Sequence, residues 1–131
     1  APVIAGIRAD GITTPISIDT RKARVAEAAL AAGANIVNDV AALTWDADLA
    51  RVVAEAGAPL CLMHAQGTPQ TMQAAPHYGD VLTEVYDWLA RRMEFAVAQG
   101  IAPERIITDP GIGFGKTLQL PGIGAAAPDR L

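Results

Sequence analysis

Four short apolar runs recur along the chain, each ending in polar residues: residues 15–19, 34–39, 59–64 and 105–109. Their length and their content of β-branched residues and leucine predict buried parallel strands rather than helices. Helical periodicity fills the intervals. Residues 22–32 are rich in Ala and set Val25, Ala26, Ala29 and Leu30 on one face before Gly33. Asp46 is a candidate cap for a second helix, with Leu49, Val52, Val53 and Ala56 inward and Gly57 at its end. Asp80 is the candidate cap of a longer one, with Val81, Val85, Trp88, Leu89, Met93, Ala96 and Val97 inward and Gly100 closing it. Residues 1–10 read as the last turns of a helix. Strand and helix alternate through short Gly or Pro turns, which predicts an α/β fold on a parallel sheet. From Leu118 to Leu131 the pattern stops, and Pro121, Gly122, Gly124 and Pro128 predict an unstructured tail.

Ligands of parallel α/β folds sit outside the carboxyl ends of the strands. Here those ends carry Asp19, Asn38 with Asp39, Met63 with His64, and Asp109. A single polar strand end serves equally well as a cap or turn former, but four in register point to a site. A carboxylate and an Asn amide together can read a flat heterocycle that presents adjacent N–H donors and a carbonyl. A second carboxylate can stabilise positive charge developing at a reacting carbon. The run from Asp109 to Thr117 is neither a Walker A loop, since Pro110 stands where its first Gly belongs, nor a dinucleotide fingerprint, being one residue short. Its alternate glycines imply tight turning and close approach of main chain to a ligand, with Phe114 held beside a flat ring. The plainer reading is a glycine loop that closes a βα turn.

The remaining reactive side chains have structural readings. His64 and His77 have no second ligand at zinc spacing. His64 is expected to bond neighbouring backbone and His77 to lie in a solvated loop. Cys61, inside an apolar strand, reads as an inert core residue. Trp88 reads as core and Trp45 as packing at a helix start, while Lys22, Glu27, Arg91 and Glu94 read as solvated helix faces.

Composition narrows the class. The chain has 131 residues, 51% of them apolar, enough for one core, and a net charge of −4 that does not suit a nucleic-acid binder. No apolar run approaches the ~20 residues of a membrane helix, and no secretory signal pattern opens the chain. One cysteine excludes an intrachain disulfide framework. These features predict a soluble, cytoplasmic protein that binds neither nucleic acid nor membrane. The first residue is Ala rather than Met, as in an internal piece of a larger protein.

Four motifs carry more than spacing does: Ser17-Ile-Asp-Thr20, Asn38-Asp-Val40, Leu62-Met-His-Ala-Gln-Gly-Thr-Pro-Gln-Thr-Met-Gln73 and Asp109-Pro-Gly-Ile-Gly-Phe-Gly-Lys116. In this order and at these intervals they closely resemble the bacterial dihydropteroate synthase family, over roughly residues 1–119. The resemblance implies part of a TIM (β/α)8 barrel, about four central βα units corresponding to strands 3–6. It places the barrel portion at residues 1–118 and a divergent tail at 119–131. It implies condensation of 6-hydroxymethyl-7,8-dihydropterin diphosphate with p-aminobenzoate to give 7,8-dihydropteroate in folate biosynthesis. Mg²⁺ would help diphosphate leave, sulfonamides would inhibit, and the full-length protein would be a homodimer. Carried over by position, Asp109 and Asn38 match the residues that bind the aminopyrimidine edge. Asp19 matches the carboxylate that contacts the pterin and stabilises the cation formed as diphosphate departs. Val40 and Met63 match apolar walls of the pterin pocket, and Phe114 the aromatic between the two substrate sites.

The departures are equally specific. The Mg²⁺-binding Asn of the family's first strand, the loops after its first two strands, and the basic residues of its seventh and eighth strands have no counterpart here. A barrel takes about 250 residues, so the chain alone is expected to be inactive or nearly so. Two other readings stand beside this one. One is the pterin-binding domain of corrinoid-dependent methyltransferases, which the Gly-Thr-Pro and Gly-Phe-Gly-Lys runs disfavour. The other is a remnant that neither folds nor binds.

Overall fold

Helix and strand alternate from the first residues onward in the computed structural model, which describes residues 1–65 and 80–114. Helix α1 (Pro2–Ala9) precedes β1 (Ser17–Asp19), α2 (Ala23–Ala31), β2 (Ile36–Asp39), α3 (Leu49–Ala56) and β3 (Leu60–Met63). Helix α4 (Val81–Ala98) and a 3-10 turn (Pro103–Arg105) then lead into β4 (Ile106–Asp109). The four strands form one sheet in chain order, every pair parallel. This is the α/β architecture predicted from the alternation, and each predicted strand is present. The proposed tail and most of the long motif, from Gln66 to Gln73, lie outside the described residues, as do Gly115, Lys116 and His77.

Alternation along the strands divides the sheet into two unlike faces. Val37, Leu60 and Leu62 point to the helices and are fully buried with Leu49 and Val53 of α3, Ala26 of α2 and Ala96 of α4. Full burial of each larger side chain in this layer contributes about 2 kcal/mol. The other face carries Asn38 and Cys61, half-buried, and Ile107, which is 49% exposed. A parallel sheet is ordinarily covered on both sides. Within the described residues only one side is covered, as expected for part of a barrel, whose inner face packs against the side chains of the other strands.

The helices differ from the sequence expectation in which residues point inward. Helix α2 packs through Ala23, Ala26 and Ala29, and Val25 is exposed. In α4 the inward line is Val85, Leu89, Arg92 and Ala96, a stripe at helical spacing that includes a cation. Met93 and Val97 stand one residue off that stripe and are exposed. The predicted cap of α4 is present: the Asp80 carboxylate accepts from the backbone N–H groups of Leu82 (3.1 Å) and Thr83 (3.4 Å). Helix α3 ends at Gly57, whose φ of 60° supplies the left-handed turn.

Asp46 does not cap the helix that follows it. That helix begins at Leu49, and the Asp46 carboxylate instead accepts from the N–H of Ala23 (2.8 Å), at the start of α2, and from that of Asp48 (3.0 Å). The side chain of Lys22, at the N-cap position of α2, supplies no acceptor, so the acceptor comes from the loop after the next strand. Those backbone bonds lower the Asp46 carboxyl below its ordinary value.

Arg8 of α1 fixes the approach to β1. Its guanidinium donates to the carbonyls of Gly33 (3.0 and 2.9 Å), Ile12 (2.7 Å) and Thr14 (2.9 Å) and to Oδ1 of Asn35 (2.6 Å). At the far end of the sheet, Gly111 crosses over the end of β3 with φ of 64°, and a Cβ there would stand 2.1 Å from the His64 carbonyl oxygen.

Two outcomes follow. Gly111→Ala should cost at least about 2 kcal/mol in chemical denaturation, combining a left-handed Ala with a main-chain clash; an unchanged midpoint would contradict this packing. Asp46→Asn should lower the melting temperature at pH 7. Because a lowered carboxyl stabilises the fold only while ionised, the gap should close as pH falls below about 4. A gap independent of pH would show that the charge plays no part.

Candidate active site

Parallel pairing brings the four strand ends to one end of the sheet, and register decides which side chains meet there. Asp19 pairs with Asn38, Asn38 with Cys61, and Met63 with Asp109. Side chains at paired positions share a face, so Asp19, Asn38 and Cys61 form one row on the open face, with Met63 and Asp109 one step further out. The ladder continues beyond the strands: Thr20 N–H donates to the Asn38 carbonyl (3.0 Å) and His64 N–H to the Asp109 carbonyl (2.9 Å). Asp19 is exposed, Asn38 and Asp109 are half-buried, and Met63 is only 3% exposed. Val40, two residues after Asn38 and just past the end of β2, is half-buried.

The glycine run turns where β4 ends. Asp109 Oδ1 accepts from the N–H of Gly111 (2.7 Å), and the Gly111 carbonyl accepts from the N–H of Phe114 (2.9 Å). This turn leaves Phe114 41% exposed. Gly111 makes a close main-chain approach of its own, to the His64 carbonyl.

Two polar strand ends do not join the open face. Asp39 pairs with Leu62, on the helix side, and is fully buried. His64 also turns to that side, where its ring meets Trp88 edge-on at 4.8 Å between centroids. Alternation accounts for both, since neighbours along a strand point to opposite faces. Cys61 moves the other way. It is not a core residue but stands on the open face between the carboxylates. Burial, followed by the negative charges of Asp109 and Asp19, pushes its thiol up, which keeps it protonated and a poor nucleophile. Sequence reasoning missed it because β3 is apolar throughout, so its composition does not show which alternate faces the site.

At the rim, Arg21 follows β1 and stacks its guanidinium 3.6 Å from the ring centre of Trp45, a residue 55% exposed. Glu27, Leu30, Val52, Glu55 and Pro59 line a cleft of about 520 Å³ at the amino ends of the strands, between α2 and α3. This concavity is at the opposite end of the sheet from the polar row. Among the described residues no group of three His, Cys, Asp or Glu could hold a metal ion. No described helix is long and apolar enough to cross a membrane.

Asp19, Asn38 and Asp109 therefore offer two carboxylates and an amide on one face, bounded by Met63 and Cys61. This set can receive several N–H donors of a flat heterocycle and set a negative charge beside it. A family model described as pterin binding enzyme matches residues 1–120. The chain is 44% identical over 118 residues to the dihydropteroate synthase of Synechocystis sp., covering 90% of this chain and 40% of that protein. It superposes on the Yersinia pestis dihydropteroate synthase, solved as a complex with a sulfonamide drug, with a TM-score of 0.84 at 38% identity, covering 89% of this chain and 42% of that one. The Xanthomonas albilineans enzyme, solved with 7,8-dihydropteroate, gives a TM-score of 0.78 at 41% identity over 88% of this chain and 41% of that one. The chain thus spans about two fifths of the length of these relatives. With its four parallel strands laid out as part of their barrel and the family model matched over nearly its whole length, this chain belongs to the pterin binding enzyme family.

Proposed function

We propose that the protein is a dihydropteroate synthase and that this chain carries the part of it that reads the pterin. The reaction joins 6-hydroxymethyl-7,8-dihydropterin diphosphate to p-aminobenzoate. The bond between the pterin methylene carbon and the diphosphate oxygen breaks, and diphosphate leaves with the electron pair. The amine nitrogen of p-aminobenzoate bonds to that carbon and releases a proton. The support is one observation: Asp19, Asn38 and Asp109 fall on a single sheet face at the carboxyl ends of β1, β2 and β4. Relatives solved with a sulfonamide drug and with 7,8-dihydropteroate give the substrate class.

In this reading the Asp109 carboxylate and the Asn38 amide take the donors and the carbonyl of the aminopyrimidine edge. The Gly111 N–H bond to Oδ1 holds the Asp109 carboxylate in one orientation. Asp19 lies against the pterin, where its charge stabilises the methylene carbon as it becomes cationic. Met63 and Val40 form apolar walls, and Phe114 stands between the pterin and p-aminobenzoate. Mg²⁺ belongs to the proposal as the ion that neutralises the departing diphosphate. Its ligands are assigned to the part of the relatives' length that this chain does not span. The homodimer interface is assigned to that same part, and the proposed location is the cytoplasm. With the diphosphate side of the reaction assigned to the length of the relatives that this chain does not span, the 131-residue chain by itself is expected to bind pterin without measurable turnover.

Calorimetric titration of a pterin diphosphate analogue should give saturable binding. Asp109→Ala should weaken it by more than about 2 kcal/mol, roughly a thirtyfold rise in Kd. Asp109→Asn, which keeps an acceptor for the Gly111 N–H, separates ligand contact from loop support and should also weaken binding. Unchanged affinity in both variants would refute the assignment. In the complete enzyme, Asp19→Asn should lower kcat by more than it raises the pterin Kd, because the charge matters most at the cationic transition state. The opposite ranking would make Asp19 a binding residue only.

A further inference from the structure

The segment after Asn38 is held in a backbone form that its own residues do not favour. Ala42 and Leu43 have φ of 46° and 62°, left-handed values that are costly for residues other than glycine. Three successive N–H groups turn inward onto one residue. Ala41 donates to Asp39 Oδ1 (2.8 Å), Ala42 to the Asp39 carbonyl (3.1 Å) and Leu43 to Asp39 Oδ2 (2.7 Å). The outward carbonyls are taken by a different element. Arg92 of α4 donates from Nε to the Ala42 carbonyl (2.7 Å) and from Nη2 to that of Leu43 (3.0 Å). Asp39 and Ala42 are fully buried and Leu43 nearly so.

The geometry points to Asp39 and Arg92 as positioning residues that clamp the loop after β2 and so fix Asn38 and Val40 at the mouth. Neither side chain belongs to the polar row itself. Asp39 shares a strand with Asn38 but faces the opposite side, and Arg92 reaches the loop from the helix that follows β3. The clamp therefore ties the wall of the site to the seating of α4. Burial raises the Asp39 carboxyl, and the Leu43 and Ala41 N–H groups and the Arg92 charge oppose that rise, so the carboxylate depends on the bonds it makes. Arg92 has no neutral substitute that spans two adjacent carbonyls with a planar fork.

This inference rests on the pterin reading for its ligand but not for its geometry, and amide exchange keeps the two separable. The variants are Asp39→Asn, Arg92→Met, which keeps the apolar stem, and Arg92→Lys. Exchange at Ala41 and Leu43 should rise at least about tenfold in the first two, while Val53 and Leu60 keep wild-type rates. Pterin affinity, measured where melts show every variant folded, should fall about tenfold in the same two and partly return in Arg92→Lys. Unchanged exchange at Leu43, or an equal rise at Leu43 and Val53, would overturn the clamp. Wild-type affinity in a variant whose loop has loosened would overturn its role in positioning. Absence of pterin binding by the wild-type chain would refute the proposed function instead, and exchange at Leu43 would still decide for or against the clamp. If Asp39→Asn does not fold, Arg92→Met and Arg92→Lys give the same readout from the other partner.

Discussion

In a parallel sheet, paired residues share a face and neighbours along a strand do not, and the rest of this chain is arranged around that constraint. Asp19 pairs with Asn38 and Asn38 with Cys61, so the polar row is a product of register. A slip of one residue in β2 would send Asn38 into the helix layer and bring Asp39 to the open face. The apolar positions resist such a slip, because Val37, Leu60 and Leu62 are fully buried against α3, α2 and α4. The hydrophobic layer on one side of the sheet thus sets the chemistry displayed on the other.

Cations and carboxylates away from that face serve the backbone. Arg8 gathers carbonyls that precede β1 and β2, and Arg92 those that follow β2. Asp46 supplies the start of α2, Asp80 the start of α4, and Asp39 the turn after β2. Each satisfies backbone groups that the short loops and helix starts leave without a ladder or intrahelical partner. Only one ion pair joins two side chains, Arg51 with Glu55 among the described residues, and it lies exposed on α3 where such pairs contribute little.

The periodic signals in the sequence were enough for element type, order and parallel pairing, since strands this short and apolar between amphipathic helices have few other arrangements. They were also enough to name Asp19, Asn38 and Asp109 as strand-end residues of one mouth. They were not enough to assign faces. Cys61 and Leu62 are both apolar in pattern, yet one faces the site and the other the core, and only pairing with Asn38 and Asp39 separates them. Caps that act across loops were equally hidden. Asp46 stands just before a helix and looks like its cap, while its acceptor bond goes to Ala23 on an earlier helix. The inward stripe of α4 contains Arg92, and a hydrophobic count assigns Met93 and Val97 instead because it cannot anticipate a half-buried cation bonded to loop carbonyls.

Ligand recognition is assigned to the open sheet face at the carboxyl ends of the strands, not to the cleft between α2 and α3. Chemical-shift mapping of a 6-hydroxymethyl pterin onto the isotopically labelled chain tests it most directly. Perturbed amides at Asp19, Asn38, Cys61 and Asp109, with Leu30, Val52 and Ala58 unmoved, are the predicted result. Shifts concentrated at Leu30, Val52 and Ala58 would place the ligand in the cleft and contradict the account.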